Sequence, residues 1–397
     1  MKSWLTYICL FVGCILTLPS CSPEADFDVS TDETSVELTL SYSGDGPMSR
    51  DVGSPAPDLD YTTSAQCALD VNDIFVLAFE TETDANGKET LTLLDIVKDL
   101  ELTKVNTDTW TIKGSMPQQG ANKTIRFAVL TNLVQNGIVI GNTALDTKAA
   151  VETVLNGMIG QTATAIYEKL VYNYNASQGK WVIENRRIPM WGISEATQLN
   201  QSEINLPAMD LYRAVAKVQI WVNNKQGIAG QDGQSGTDDD FIITSIVVNN
   251  ANAQGYCASL LTPNSSSAIQ YEDASVPNNV STLETITYIP EDKDVEYEID
   301  GEEKQSFNDA RESYSDFIYL PEQINTDTDA VTITINYTYN GDPMVGTIEF
   351  KENGVGDRFD VIRNHSYIFN INKIEEQTGK LYYYVTWNTE EVNIDFN

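Results

Sequence analysis

Few residues in this chain have the types and spacing needed for chemistry. His365 is the one histidine, so at most one imidazole is available for acid–base work and no His-based metal cluster can form. It lies in RNHSYIF, with no serine elbow or cysteine motif elsewhere, which argues for a structural strand residue and against a catalytic triad. In the Gly227–Asp240 loop, Asp232, Asp238, Asp239 and Asp240 are hard oxygen ligands. Their spacing lacks the EF-hand pattern and its bidentate Glu, and a solvated interstrand loop is the better reading. Neighbouring carboxylates such as Glu302-Glu303 and Glu390-Glu391 are expected by chance among 58 acidic residues and do not indicate glycoside hydrolysis. There is no Gly-rich phosphate loop, HExxH or CxxC, so no catalytic, cofactor-binding or metal residues are predicted, and no enzyme. The 58 acidic residues face 24 basic ones, a formal charge of −34, which repels phosphate backbones and excludes nucleic-acid partners.

The remaining chemistry is that of processing. Residues 1–20 carry Lys2 and a mostly apolar run from Trp4 to Leu18, the pattern of an export signal, and then Leu-Pro-Ser-Cys ends at Cys21. The Leu-x-x-Cys arrangement resembles a bacterial lipobox, in which the signal is cut before the cysteine and the thiol is acylated, so Cys21 is the candidate lipid anchor. Of five cysteines this leaves Cys67 and Cys257, too few for a disulfide framework. They read as small buried residues, although an oxidising compartment would allow a bond if the fold brought them together. A second processing site is suggested by Arg50, a lone basic residue in GDGPMSRDVGSPAPDLD, an exposed Gly/Pro-rich link of the kind proteases cut. The cut would fall between Arg50 and Asp51.

The elements around these sites are strands. Val36, Leu38, Leu40 and Tyr42 alternate with Glu37, Thr39 and Ser41, giving a strand with one buried face ahead of the link. Further strands are predicted over 73–80, 89–94, 109–113, 124–130 and 181–183, with a turn at Asn86-Gly87. Apolar residues at three- and four-residue spacing predict one minor helix over 147–158 and a shorter one over 163–170. After Glu203 comes a connector holding Pro207, and a new sheet begins near Asp210 with YRAVAKVQIWV. Its other strands are expected over 241–249, 285–289, 316–320, 330–339, 347–350, 365–371 and 382–387. At the terminus Val392, Ile394 and Phe396 share one side of VNIDFN, an alternating strand that needs a groove to bury it.

The lipobox at Cys21, the strand before Arg50, RRIPMWG (Arg186–Gly192), YRAVAKVQIWV (Tyr212–Val222), NNANAQGY (Asn249–Tyr256), RNHSYIFNI (Arg363–Ile371) and the terminal VTWNTEEVNIDF together resemble the fimbrillin family, the type V pilins of Bacteroides- and Porphyromonas-like bacteria. The resemblance spans the chain. It implies an all-β protein of two transthyretin-like β-sandwich domains, 51–208 and 209–397, with minor helix in the first. Residues 21–50 would be a lipidated propeptide. The precursor would be anchored to the outer membrane through Cys21, and an Arg-specific surface protease would remove Cys21–Arg50. That cut would withdraw a plug strand of Val36, Leu38, Leu40 and Tyr42 and open a groove for the donor strand of Val392, Ile394 and Phe396 from another fimbrial subunit. The implied product is a cell-surface fimbrium supporting adhesion and biofilm. Alternatives are a tip or accessory adhesin of the same family, or a surface glycan-binding lipoprotein.

Overall fold

The structure, a computed structural model, describes residues 33–41, 69–105, 109–119, 123–134, 136–174, 187–199, 203–223, 241–260, 274–277, 286–288, 311–313, 318–325, 330–339, 341–351, 357–375 and 380–387. Cys21 and the leader, Tyr42, Arg50, Asp51, Cys67, the predicted strand 181–183, the Gly227–Asp240 loop, and Val392, Ile394 and Phe396 lie outside the described residues.

The fold is all-β with two short helices. In the first half β1 (Glu33–Ser41) is followed by β2 (Ile74–Thr83), β3 (Glu89–Lys104), β4 (Thr109–Pro117) and β5 (Lys123–Thr131). A small hairpin of β6 (Val139–Ile140) and β7 (Thr143–Ala144) leads into α1 (Lys148–Asn156) and α2 (Ala163–Tyr167). Then come β8 (Val171–Asn173), β9 (Met190–Ile193), β10 (Thr197–Leu199), β11 (Glu203–Asp210) and β12 (Tyr212–Arg213). The second half holds β13 (Val215–Asn223), β14 (Phe241–Asn249), β15 (Gln254–Tyr256), β16 (Ile286–Tyr288) and β17 (Arg311–Ser313). It ends with β18 (Ile318–Pro321), β19 (Thr332–Tyr339), β20 (Asp342–Glu349), β21 (Ser366–Glu375) and β22 (Lys380–Trp387).

One sheet, in the order β11-β1-β4-β3-β2-β5-β9-β12 with β10 also paired to β5, makes up most of the first half. It folds back on itself within β3. Residues up to Val97 pair with β2, and those from Lys98 onward pair with β4. The turn between layers is made at a bulge where Asp99 takes a positive φ of 52°, the irregularity by which a strand changes layer. Between the layers Val36, Leu38 and Leu40 of β1 and Ile112 and Met116 of β4 pack with Val76 and Ala78 of β2 and Phe127 and Val129 of β5.

The opposite face of β2 and β5 is buried too, which explains why IFVLAF and FAVL are apolar at every position. Phe75, Leu77 and Phe79 pack with Val151 and Leu155 of α1 and with Ile166 and Tyr167 of α2. Each helix starts where a threonine accepts from the backbone three residues on, Thr147 from Ala150 N and Thr162 from Ala165 N. The same apolar cluster continues into the second half. There β17-β13-β21-β22, with β18 also on β13, faces β16-β14-β19-β20. Phe350, Phe369, Tyr367 and Tyr383 interlock between these sheets, with Phe350 and Phe369 edge to face at 5.1 Å. The halves are joined by β8 pairing with β15 and by the Tyr172 hydroxyl donating to Ala214 O at 3.0 Å.

The stretch after Glu203 is not the connector that Pro207 suggests but strand β11. The ladder of β11 with β1 shifts register between Glu37 and Thr39, which places an irregularity at Leu206–Pro207, and a bulge is where a strand tolerates a residue with no N–H to donate.

Asp73, just ahead of β2, accepts from Val134 N at 2.8 Å through Oδ2, while its Oδ1 is buried without a hydrogen-bond partner. Burial pushes its pKa up to about 6, with the Val134 N–H opposing, Asp70 adding and Lys148 subtracting. In the unfolded chain an aspartate titrates near 4. Folding therefore takes up a proton between those values, and the stability withheld above pH 6 is recovered as pH falls through 6 toward 4. Comparing thermal melts of wild type and Asp73→Asn, we expect the wild type to gain about 2 kcal/mol on the variant between pH 8 and pH 4.5. Parallel stability curves would mean that Asp73 titrates normally.

Candidate assembly site at strand β1

Strand β1 lies inside the sheet, flanked on both sides along most of its length. It is antiparallel to β4 from Glu33↔Pro117 to Ser41↔Thr109 and parallel to β11 from Ser35↔Glu203 to Ser41↔Asp210. Alternation puts Val36, Leu38 and Leu40 inward, with exposures of 1%, 1% and 0%, as the spacing of SVELTLS predicts. Glu37 points outward, opposite Lys113, and their charged ends are 3.2 Å apart.

The magnitudes separate what holds β1 in place. Burying three aliphatic side chains at about 1.5–3 kcal/mol each stabilises the strand by roughly 5–9 kcal/mol. The Glu37–Lys113 pair is exposed by about a third on one side and more than half on the other, so it adds at most a few tenths of a kcal/mol. The apolar stripe dominates.

The neighbours of β1 depend on it unequally. β4 keeps β3 on its other side, whereas β11 has β1 as its one ladder partner among the described residues. Neither β4 nor β11 precedes β1 in the chain. β1 is also remote from its successor, since residues 42–73 separate it from β2 and the two strands do not pair. Withdrawing β1 would leave the β2–β3–β4 meander continuous. It would expose a slot with bare edges on both sides, and an unpaired edge beside apolar surface is a template for another strand.

Of the residues weighed for chemistry, Glu302, Glu303, Glu390 and Glu391 lie outside the described residues, and His365 and Cys257 are buried. His365 is buried with Nδ1 2.8 Å from Arg363 O, which requires the Nδ1–H tautomer. Burial lowers its pKa, with the Arg363 carbonyl and the Glu322 charge opposing, so the ring is neutral at neutral pH. Cys257 is buried and free, and burial pushes its thiol pKa far up, leaving it inert. No group of three His, Cys, Asp or Glu within reach of one metal ion occurs among the described residues.

Two buried ion pairs escape sequence reasoning. Arg126 reaches Glu89 through Nε at 2.7 Å and Nη2 at 3.0 Å, and donates through Nη1 to Ser194 O. Arg363 reaches Glu322 through Nε at 2.9 Å and Nη2 at 2.5 Å. The one signal in the sequence is for Arg126, an arginine inside the largely apolar TIRFAVL, because a charge there must be met by a partner from elsewhere.

No protein-family model matches the chain, and no curated protein of similar sequence is found. Solved structures of similar fold include a candidate cell adhesion protein from Parabacteroides distasonis, at 14% identity and TM-score 0.48, over 89% of this chain and 96% of that one. Others are the tip fimbrial protein Mfa3 from Porphyromonas gingivalis (13%, TM-score 0.44, 89% and 99%) and a fimbrilin from the same organism (12%, TM-score 0.41, 89% and 97%).

If the apolar stripe holds β1 in place, Leu38→Ala should destabilise the uncut protein by about 2–5 kcal/mol in denaturant unfolding. Glu37→Ala should change stability by less than about 0.5 kcal/mol. Equal effects of the two substitutions would remove the stripe as the main anchor.

Proposed function

We propose that this protein is the precursor of a fimbrillin-like fimbrial subunit that polymerises by strand exchange after losing β1. One observation carries the reading. β1 contributes three fully buried side chains to the first-half core, yet it is tied to the rest of the chain through a long Gly/Pro-rich link that contains Arg50. A strand needed by the core but separable by a single cut suits a temporary plug. The sequence resemblance to the fimbrillins supports the same assignment.

In this reading Cys21 carries the lipid that holds the precursor at the outer membrane. An Arg-specific protease on the cell surface cuts between Arg50 and Asp51 and releases Cys21–Arg50 with Val36, Leu38, Leu40 and Tyr42. The terminal segment of another subunit, bearing Val392, Ile394 and Phe396, then fills the slot between β4 and β11. Strand addition of this kind joins protomers through main-chain bonds and alternate side-chain pockets. A head-to-tail contact that does not close produces a filament. Presence of both a removable strand and a terminal stripe favours a stalk subunit supporting adhesion and biofilm, whose partners are other fimbrial subunits.

N-terminal sequencing of the surface form should begin at Asp51. Arg50→Ala should yield a folded, lipidated monomer with no fibres, and normal fibre yield from that variant would place the cut elsewhere. Replacing Ile394 and Phe396 with Asp should spare folding and processing but abolish polymers, since two unpaired charges would enter an apolar slot. Long fibres of the doubly substituted, processed protein, seen by electron microscopy, would assign the donor role to another segment.

A further inference from the structure

The outer face of the sheet β16-β14-β19-β20 differs from the rest of this acidic protein. On β19 Ile333, Ile335, Tyr337 and Tyr339 are buried inward, and alternation turns Thr332, Thr334, Asn336 and Thr338 outward. Register sets the outward residues in rows across three strands. Ser245 of β14, Asn336 of β19 and Val345 of β20 form one row, and Val247, Thr334 and Thr347 form the next. None of these six carries a charge, although charged residues make up 21% of the chain. In the row beyond, Asn249 and Thr332 lead to Glu349, whose carboxylate is engaged by Lys351 at 2.9 Å and Arg358 at 2.6 Å. By contrast, the sheet of the first half sets Glu37, Lys113 and Glu101 side by side.

The polar groups of this neutral face are spent on one another. Asn249 Nδ2 donates to Thr334 Oγ1 at 3.0 Å, and Asn336 Nδ2 donates to Ser245 Oγ at 2.8 Å. Side chains that are already paired lose less when water is removed than free ones do. Val345, at 58% exposure, gains by being covered. The face is therefore easily dried.

Charge selects what covers it. With −34 on the chain, a basic partner would gain more from the acidic surface elsewhere than from a face with no charge to offer. Two copies of the chain repel wherever their acidic residues meet, and their close approach is least opposed where both faces are neutral. An open sheet face also lacks the cleft that a small ligand needs.

We propose that this face is a self-association surface, on which the rows through Asn336 and Thr334 pack against the same rows of a second copy as an isologous pair. The contact uses no residue of β1 and is independent of strand exchange. So small a patch falls below the about 20–30 residues a side of a stable interface, so lone chains pair weakly and separate on dilution.

Sedimentation velocity tests the pairing on the uncut chain from residue 21 carrying Cys21→Ser and Arg50→Ala, so that neither lipid nor strand exchange enters. Between about 10 μM and about 1 mM this protein should shift from monomer toward dimer, and a constant sedimentation coefficient would overturn the proposal. Added salt should strengthen the pairing by screening the repulsion between acidic copies. Weakening by salt would mean that charge pairs hold the copies together, against the proposal. Val345→Glu, which sets like charges into the contact, should keep the protein monomeric over the whole range, whereas Thr103→Glu, at an exposed position of β3, should not. An equimolar mixture of Val345→Glu and Val345→Lys should restore the dimer. Dimers of Val345→Glu alone, or a mixture that stays monomeric, would assign the contact to another surface and overturn the isologous pairing. None of these outcomes bears on the strand-exchange reading.

Discussion

The first half of this protein depends on the burial of Val36, Leu38 and Leu40 between β4 and β11. Those three side chains contribute roughly 5–9 kcal/mol, a sum comparable to the whole stability of an ordinary domain. β11 has β1 as its one ladder partner among the described residues, so its place in the fold rests on the same burial. An emptied slot would leave two bare edges and an apolar floor. Under the strand exchange proposed above, release of β1 and entry of a replacement would have to be closely coupled.

The architecture confines the consequences of losing β1. Successive residues of β2 serve different cores: Ile74, Val76 and Ala78 pack with β1, while Phe75, Leu77 and Phe79 pack under the helices and into the cluster that runs through the second half. β1 contributes only to the first of these. The second includes Tyr172 and the interlocked rings around Phe350. Loss of β1 would therefore remove side chains from the first of these cores and none from the second.

The buried polar groups fit a structural role. Arg126 with Glu89 and Arg363 with Glu322 neutralise each other inside the protein, where loss of either partner would strand a charge at a cost of about 3–5 kcal/mol. His365 is neutral and bonded to a backbone carbonyl. Arg126 and Arg363 each tie a carboxylate and a backbone carbonyl from distant parts of the chain to one point.

Much of this was legible in the sequence, and the reason is periodicity. Alternation in SVELTLS and VTITINYTY, apolar runs in IFVLAF and FAVL, and three- and four-residue spacing after Thr147 each report local geometry that nearest neighbours impose. The strands β1, β2, β5, β14 and β19 and both helices were accordingly foreseeable to within a few residues. What the sequence could not tell was pairing. That β1 lies beside β4 and β11 instead of β2, that β3 crosses between layers at Asp99, and that Pro207 belongs to a strand are decided by contacts far apart in the chain. Glu89 and Glu322 likewise became partners of arginines only through the fold. Sequence pattern determined which residues face inward because a strand's period of two is a property of the backbone alone. Only the tertiary structure decided what they face, because strand neighbours are selected by the summed packing of whole layers.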